Sequence, residues 1–141
     1  MIPTPSSILA LDVGSKRVGV AIASAVARLP RPLTTLYMDD NFNGALRKII
    51  TAENVSDLVV GFPRGMRGQA TQQTEAIENF TASLRQAFDL PIHLQDESVT
   101  SKQAEAELQA RRKPYAKGDI DALAATYILQ DFLAEHKELT G

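Results

Sequence analysis

The chain contains no cysteine. That absence excludes disulfides, a thiol nucleophile and a zinc–thiolate site. Histidine is scarce as well, with two residues in all. His93 falls inside a short apolar segment and His136 lies among Glu135, Lys137 and Glu138. Both read as structural or solvated, and nothing resembles a Ser–His–Asp arrangement. No apolar run approaches the roughly 20 residues that cross a bilayer, so no membrane role is expected. The opening Met1-Ile2-Pro3-Thr4-Pro5-Ser6 lacks the basic region and long apolar core of a signal peptide. These absences point to a cytoplasmic protein. Neither sign of charge dominates: 15 basic against 17 acidic residues leave a net charge of −2. Any contact with nucleic acid must therefore come from local basic clusters rather than from the field of the whole molecule.

What is present suits one domain. The 141 residues are 44% hydrophobic and 23% charged, enough to bury a core. Residues 1–6 and about 136–141 read as loose tails. Ile8 to Val13 and Val18 to Ala23 are short apolar runs rich in branched residues, which suits buried strands. Gly14-Ser15-Lys16 between them is a short hairpin link. Leu33 to Tyr37, after Pro30 and Pro32, forms a third strand. Asp39-Asp40-Asn41 supplies N-cap chemistry for a helix with Phe42, Ala45, Leu46, Ile49 and Ile50 on one face. Asp57 to Phe62 is a fourth strand ended by Pro63. A loop, Arg64-Gly65-Met66-Arg67-Gly68-Gln69, leads into an amphipathic helix marked by Ile77, Phe80, Leu84, Ala87 and Phe88. Ile92 to Gln95 is a brief fifth strand. Thr100 and Gln103 fit a capping box for a helix over about 101–110. A basic loop precedes a last helix that starts near Asp119, its expected N-cap, and runs through Leu123, Ala124, Tyr127, Ile128 and Phe132. The order β-β-β-α-β-α-β-α-α predicts an α/β fold, a mixed sheet flanked by helices.

The carboxylates carry the chemistry. Asp12 ends the first strand, Glu97 follows the last, and Asp121 falls in the first turn of the last helix. Each has a plain structural reading: Asp12 as a cap for the Gly14 turn, Asp121 as a complement to the helix dipole, Glu97 as a loop residue. Asp12 is harder to dismiss, because a carboxylate on a buried strand needs a partner, a hydrogen bond or a metal. Three carboxylates gathered from distant segments repel one another unless a cation neutralises them. Mg²⁺ and Mn²⁺ prefer oxygen ligands. A pair of such ions about 4 Å apart can activate water against a phosphodiester. Strand alternation puts Asp96 and Glu97 on opposite faces and does not choose between them.

Basic residues gather at the same element ends. Lys16 and Arg17 follow Asp12, Arg64 and Arg67 occupy the Gly-rich loop, and Arg111, Arg112, Lys113 and Lys117 precede Asp121. Any one cluster can be a solvated face. Together, beside the carboxylates, they suit the phosphate contacts that give most non-specific nucleic-acid affinity. Gly65 and Gly68 would allow close backbone approach to a phosphate, and Tyr115 could stack on a base.

Four motifs in order resemble the YqgF/RuvX family, associated with Holliday junction resolution and with nuclease action on pre-16S rRNA. They are Asp12-Val13-Gly14-Ser15-Lys16-Arg17-Val18-Gly19; Gly61-Phe62-Pro63 with Met66 and Gly68; Asp96-Glu97 with Thr100-Ser101; and Lys117-Gly118-Asp119-Ile120-Asp121-Ala122-Leu123-Ala124-Ala125. The resemblance implies an RNase H-like fold, with a five-stranded mixed sheet of a three-strand antiparallel meander plus two parallel strands. It also implies that Asp12, Glu97 and Asp121 are the catalytic, metal-binding carboxylates, which selects Glu97 over Asp96. Two positions depart from the family pattern. Ser98 stands where an Arg usually follows the acidic pair, and Arg67 where an Asp or Asn usually precedes the last Gly of the loop.

The reading that follows is a nuclease using Mg²⁺ or Mn²⁺, with two ions, on structured nucleic acid. The expected substrate is the 5′ end of precursor 16S rRNA, with branched DNA as the alternative. A junction resolvase would act as a homodimer cutting two strands, whereas an RNA-processing nuclease can be a monomer. Two other classes compete. An actin-like ATPase also pairs an Asp with glycines after its first strand, but it needs two such domains. A non-catalytic nucleic-acid-binding module could retain the fold.

Overall fold

The computed structural model describes residues 5–63, 72–97 and 101–137, except for the side chains at 63, 72, 73, 97, 101 and 102. Nine elements follow one another: β1 (Ser7–Val13), β2 (Arg17–Ser24), β3 (Arg31–Tyr37), α1 (Phe42–Ala52), β4 (Val55–Pro63), α2 (Gln72–Ala87), β5 (Ile92–Glu97), α3 (Ser101–Ala110) and α4 (Lys117–Glu135). This is the order expected from the periodicity. The strands make one sheet in the order β3-β2-β1-β4-β5. β1, β2 and β3 form an antiparallel meander, while β4 runs parallel to β1, and β5 to β4. The carboxyl ends of β1, β4 and β5 therefore share one edge of the sheet.

Both faces of the sheet are covered, and the two covers differ. On one face Leu9, Leu11, Val20, Ile22, Leu58 and Val60 meet Phe42 and Leu46 of α1 and Ile77 and Leu84 of α2. On the other, Ile8, Ala10, Ala21, Ala23 and Val59 meet Ala125, Ile128, Leu129, Phe132 and Leu133 of α4. The second face is small-residue ground, which lets a helix come close to the strands. α4 is also covered from behind, where Leu123 and Ala124 pack on Ala104 and Leu108 of α3. Burial on two sides explains why residues 122–125 are all apolar, with no polar stripe between them. No helix among the described residues is long and apolar enough to cross a membrane.

Local chemistry departs from expectation at several ends. Asn41 is the N-cap of α1 but makes no side-chain cap bond; Asp39 accepts from the Asn41 N–H at 2.9 Å instead. β5 continues two residues past Gln95, so Asp96 and Glu97 belong to the strand. α4 starts earlier than expected. Its N-cap is Ala116, and Asp119 is the third helical residue, accepting from the Ala116 N–H at 2.8 Å. The polar reach-back of Asp119 resembles an N-cap in sequence, since both positions favour a short carboxylate. Asp121 is consequently the fifth residue of α4, a full turn inside it. The Thr100 half of the capping box expected at α3 lies outside the described residues.

Both histidines are structural. His93 Nε2 sits 2.8 Å from Asp57 Oδ2. His136 stacks on the ring of Phe132 at 4.1 Å, and its Nδ1 lies 2.9 Å from the Phe132 carbonyl. At this end of the molecule Arg28, in the turn after β2, donates to the carbonyls of Leu133 and His136 at 2.8 and 2.7 Å. Those are the carbonyls a helix leaves without internal partners at its carboxyl end. Ser6 accepts from the Ala25 N–H at 2.9 Å, so the backbone just before β1 is held to the sheet.

Candidate active site

The site grows from the β1–β2 hairpin. Gly14 N–H donates to the Arg17 carbonyl at 2.8 Å, closing the link between the strands. A Cβ at Gly14 would stand 2.8 Å from that same carbonyl oxygen, so the tight closure needs glycine. Closure in this register pairs Asp12 with Gly19. Directly paired residues of an antiparallel ladder point to the same face, with Cβ positions about 5 Å apart. That face is the one carrying Ile8, Ala10, Ala21 and Ala23, which lies under α4.

At Gly19 the helix replaces a side chain. An ideal Cβ there would lie 1.9 Å from the Asp121 carbonyl oxygen and 2.2 Å from its carbonyl carbon. The backbone of Asp121 thus fills the place that a residue-19 side chain would take, one ladder step from Asp12. The Asp121 backbone reaches the ladder position paired with Asp12 because that strand position has no side chain.

Glu97 reaches the same edge by another route. Leu11 is level with Val60, and Val60 with Leu94, so Glu97 ends β5 three residues beyond the level of Leu11. Two strand spacings separate β5 from β1, about 10 Å. Position 97 is in phase with His93 and Gln95, and His93 packs on Phe132 of α4. The side chain of Glu97 lies outside the described residues. Among the described residues no three His, Cys, Asp or Glu side chains stand together as a metal site.

The cations divide. Arg17 is half-buried and its Nε donates to Asp121 Oδ2 at 2.6 Å. The hydrogen bond and the charge of Asp121 raise the Arg17 pKa above its already high usual value, so the guanidinium stays charged throughout the accessible pH range. Lys16 is exposed at the tip of the hairpin, and Lys117 is exposed as the first residue of α4. Arg111, Arg112 and Lys113 are exposed beyond the end of α3, where Arg111 pairs with Glu107 at 3.3 Å. Arg111 also lines a groove of about 530 Å³ between β3 and the start of α4, together with Thr35 and Asp119. Arg64 and Arg67 lie outside the described residues. Tyr115 is partly buried and packs against the small cluster of Ala104, Leu108, Leu123 and Ala124.

The family model for RuvX, described as a Holliday junction resolvase, matches residues 6–135. This chain belongs to the RuvX family. Its RuvX relatives include a Chloroflexus aurantiacus protein named "Putative pre-16S rRNA nuclease", 39% identical over 130 residues, covering 89% of this chain and 85% of that one. A Moorella thermoacetica protein of the same name is 38% identical over 133 residues, covering 89% and 93%. Among solved structures, the fowlpox virus Holliday junction resolvase superposes with a TM-score of 0.54 at 14% identity, covering 94% of this chain and 99% of that one. Thermus thermophilus RuvC in complex with a Holliday junction substrate gives 0.52 at 14%, covering 92% and 95%. At such identities the likeness concerns the fold, which is RNase H-like.

Two contacts that assemble this RuvX site are not evident in the sequence. One is the approach of α4 at Gly19, although a glycine within an apolar strand run does signal close backbone approach. The other is Thr35, whose hydroxyl donates to the Gly118 carbonyl at 2.6 Å and ties the first turn of α4 to β3. No sequence signal distinguishes Thr35 from Thr34. Thr35→Val keeps the shape and removes the bond, and is expected to cost about 1 kcal/mol in urea unfolding. Thr34→Val, the neighbouring control, leaves that bond intact.

The donor chemistry fits a hard divalent cation. Asp12 and Asp121 offer only carboxylate oxygens, and Asp121 already holds a cationic group at 2.6 Å.

Proposed function

We propose that this RuvX-family chain is a metal-dependent endonuclease of structured nucleic acid, acting in the cytoplasm on the 5′ end of precursor 16S rRNA. The observation that carries the reading is the seating of the Asp121 backbone on Gly19, beside Asp12. Arg17 balances one of the two charges, and a divalent ion held by both carboxylates would balance the pair. Asp12, Asp121 and Glu97 would hold two Mg²⁺ or Mn²⁺ ions. Bound there, the ions would supply an activated water and charge stabilisation for the phosphodiester.

The chain's own residues do the rest. Asp12, on the central strand β1, is fixed by the hairpin on one side and β4 on the other. Asp121 is fixed by two-sided burial of α4. Lys16 and Lys117, both exposed at this edge, would contact phosphates next to the scissile bond. Arg17, Arg64, Arg67, Arg111, Arg112 and Lys113 would extend that contact along the backbone. Such contacts position a nucleic acid without reading its sequence, so selection would rest on the shape of the substrate.

Junction DNA is the second reading, favoured by the family description. Side-by-side incubation of the purified protein with precursor 16S rRNA and a four-way DNA junction, with Mg²⁺ and with a chelator, tests both. Metal-dependent cutting of the RNA is the expected result. Symmetric cutting of the junction alone, by a protein of dimeric solution mass, would transfer the assignment to the resolvase. Failure to cut either substrate in Mg²⁺ or Mn²⁺ would favour a non-catalytic binding module.

A further inference from the structure

Arg17 stands where the proposed chemistry does not obviously want it. Its guanidinium Nε donates to Asp121 Oδ2 at 2.6 Å. Both partners are partly sheltered, with 31% of the Arg17 side chain and 18% of the Asp121 side chain exposed. Arg17 opens β2 shortly after Val13 closes β1, and it lies two positions from Gly19 on the same strand face. The short hairpin therefore sets Asp12 of β1 and a fixed positive charge beside the strand position on which the Asp121 backbone rests.

Resting on the metal-dependent reading above, we propose that Arg17 is a placeholder cation: it neutralises Asp121 in the metal-free protein, and the incoming divalent ion displaces it. The argument is one of competition at a single carboxylate. Oδ2 of Asp121 already accepts a 2.6 Å hydrogen bond from Nε, and an ion coordinated by the same carboxylate would draw electron density from it and set a second positive charge beside the guanidinium. Two positive groups crowded at one carboxylate repel, so ion binding drives the guanidinium away. Arg17 is a positioning residue before the ion arrives, because it keeps α4 seated beside Asp12 despite the like charge there. After release its planar, always-charged fork is free at the rim of the site, in the form best suited to grip a phosphate. Loading the ion and exposing the phosphate grip would then be one event, and the metal-free protein would hold nucleic acid less well than the loaded one.

The test measures Mn²⁺ affinity by electron paramagnetic resonance, without any cleavage readout. Arg17→Gln is expected to bind Mn²⁺ about fivefold more tightly than the unaltered protein, the scale at which a partly exposed ion pair competes. Arg17→Lys, which keeps a charge but not the fork, is expected to fall between them. Titration of the unaltered protein with Mg²⁺, followed by NMR of the Arg17 Nε–H resonance, is expected to shift that signal as the hydrogen bond breaks. Equal or weaker Mn²⁺ binding by a folded Arg17→Gln protein, or an Nε–H signal unmoved at saturating Mg²⁺, overturns the placeholder while leaving the metal site standing. Failure of both proteins to bind Mn²⁺ saturably overturns the metal reading and this inference with it. Circular dichroism of each variant establishes that it is folded.

Discussion

Asp12→Asn is expected to reduce cleavage about a thousandfold while leaving the protein folded. The substitution keeps the side chain's size and its place on β1, and removes a charge that would help hold the cations. Stabilisation of transition-state charge by such ions is worth several kcal/mol, and about 4 kcal/mol corresponds to a factor of a thousand in rate. Stability should respond far less. Asp12 is half-buried, and asparagine keeps its size and its capacity to accept hydrogen bonds. A change of about 1 kcal/mol, or roughly 4 °C in Tm, is the expected ceiling. The two measurements separate chemistry from folding: initial cleavage rates in Mn²⁺, and thermal melts with and without the ion. The unaltered protein should melt higher in Mn²⁺ and the Asp12→Asn protein should not, since only a state that binds the ion gains from it. Full activity in the variant would remove Asp12 from the mechanism.

Gly19→Ala should cost more stability than alanine at Gly14, Gly44 or Gly118. The added Cβ would collide with the carbonyl carbon and oxygen of Asp121, at 2.2 and 1.9 Å, and those are backbone atoms that no rotamer change can clear. Relief requires α4 to lift from β2. Overpacking typically costs about 1–3 kcal/mol and occasionally more, and a backbone-on-backbone collision belongs at or beyond the upper end. An expected loss of about 3 kcal/mol lowers Tm by roughly 10 °C. The same substitution at Gly44 is the control. Gly44 lies inside α1, and a methyl group added there would have nothing within 4 Å. Gly44→Ala should therefore stabilise by about 0.5–1 kcal/mol through helix propensity. Urea unfolding of the two variants should thus give shifts of opposite sign. Because lifting α4 also moves Asp121 away from Asp12, Gly19→Ala should lose cleavage even at temperatures where it remains folded.

Much of the fold could be read from periodicity because its strands are short, apolar and bounded by glycine or proline. Val18 to Ala23 is buried on both faces of the sheet, and that appears in sequence as an unbroken apolar run. The ends of elements were harder to read. Asp119 and Asp121 are both acidic residues near a helix start, and only the position of Ala116 shows which of them lies within the first turn. The polar pair Asp96-Glu97 ended the apolar pattern of β5 before the backbone pairing with β4 ended. The carboxylates could be named individually, whereas the approach of the Asp121 backbone to the strand position beside Asp12 could not be derived from their spacing. It depends on the α4 backbone resting on a bare strand position, a tertiary contact between residues at opposite ends of the sequence. The stacking of His136 on Phe132 is instead a local contact between residues four apart, and the polar neighbours Glu135, Lys137 and Glu138 masked it.

The bonds from Arg28 to the end of α4, together with Thr35 and Gly19 at its beginning, have a consequence for the order of events during synthesis. The first hairpin made is anchored to the last helix made, and the contacts that join them span more than 80 residues. Until α4 emerges, Ile8, Ala10, Ala21, Ala23 and Val59 have no cover. Neither does the hairpin have its second carboxylate. A ribosome translating this chain therefore carries a nascent protein that is incomplete in core and site alike. Under the proposed function, cutting would begin only once α4 is in place, so a hydrolase aimed at ribosomal RNA precursors would stay inert beside RNA while it is being made.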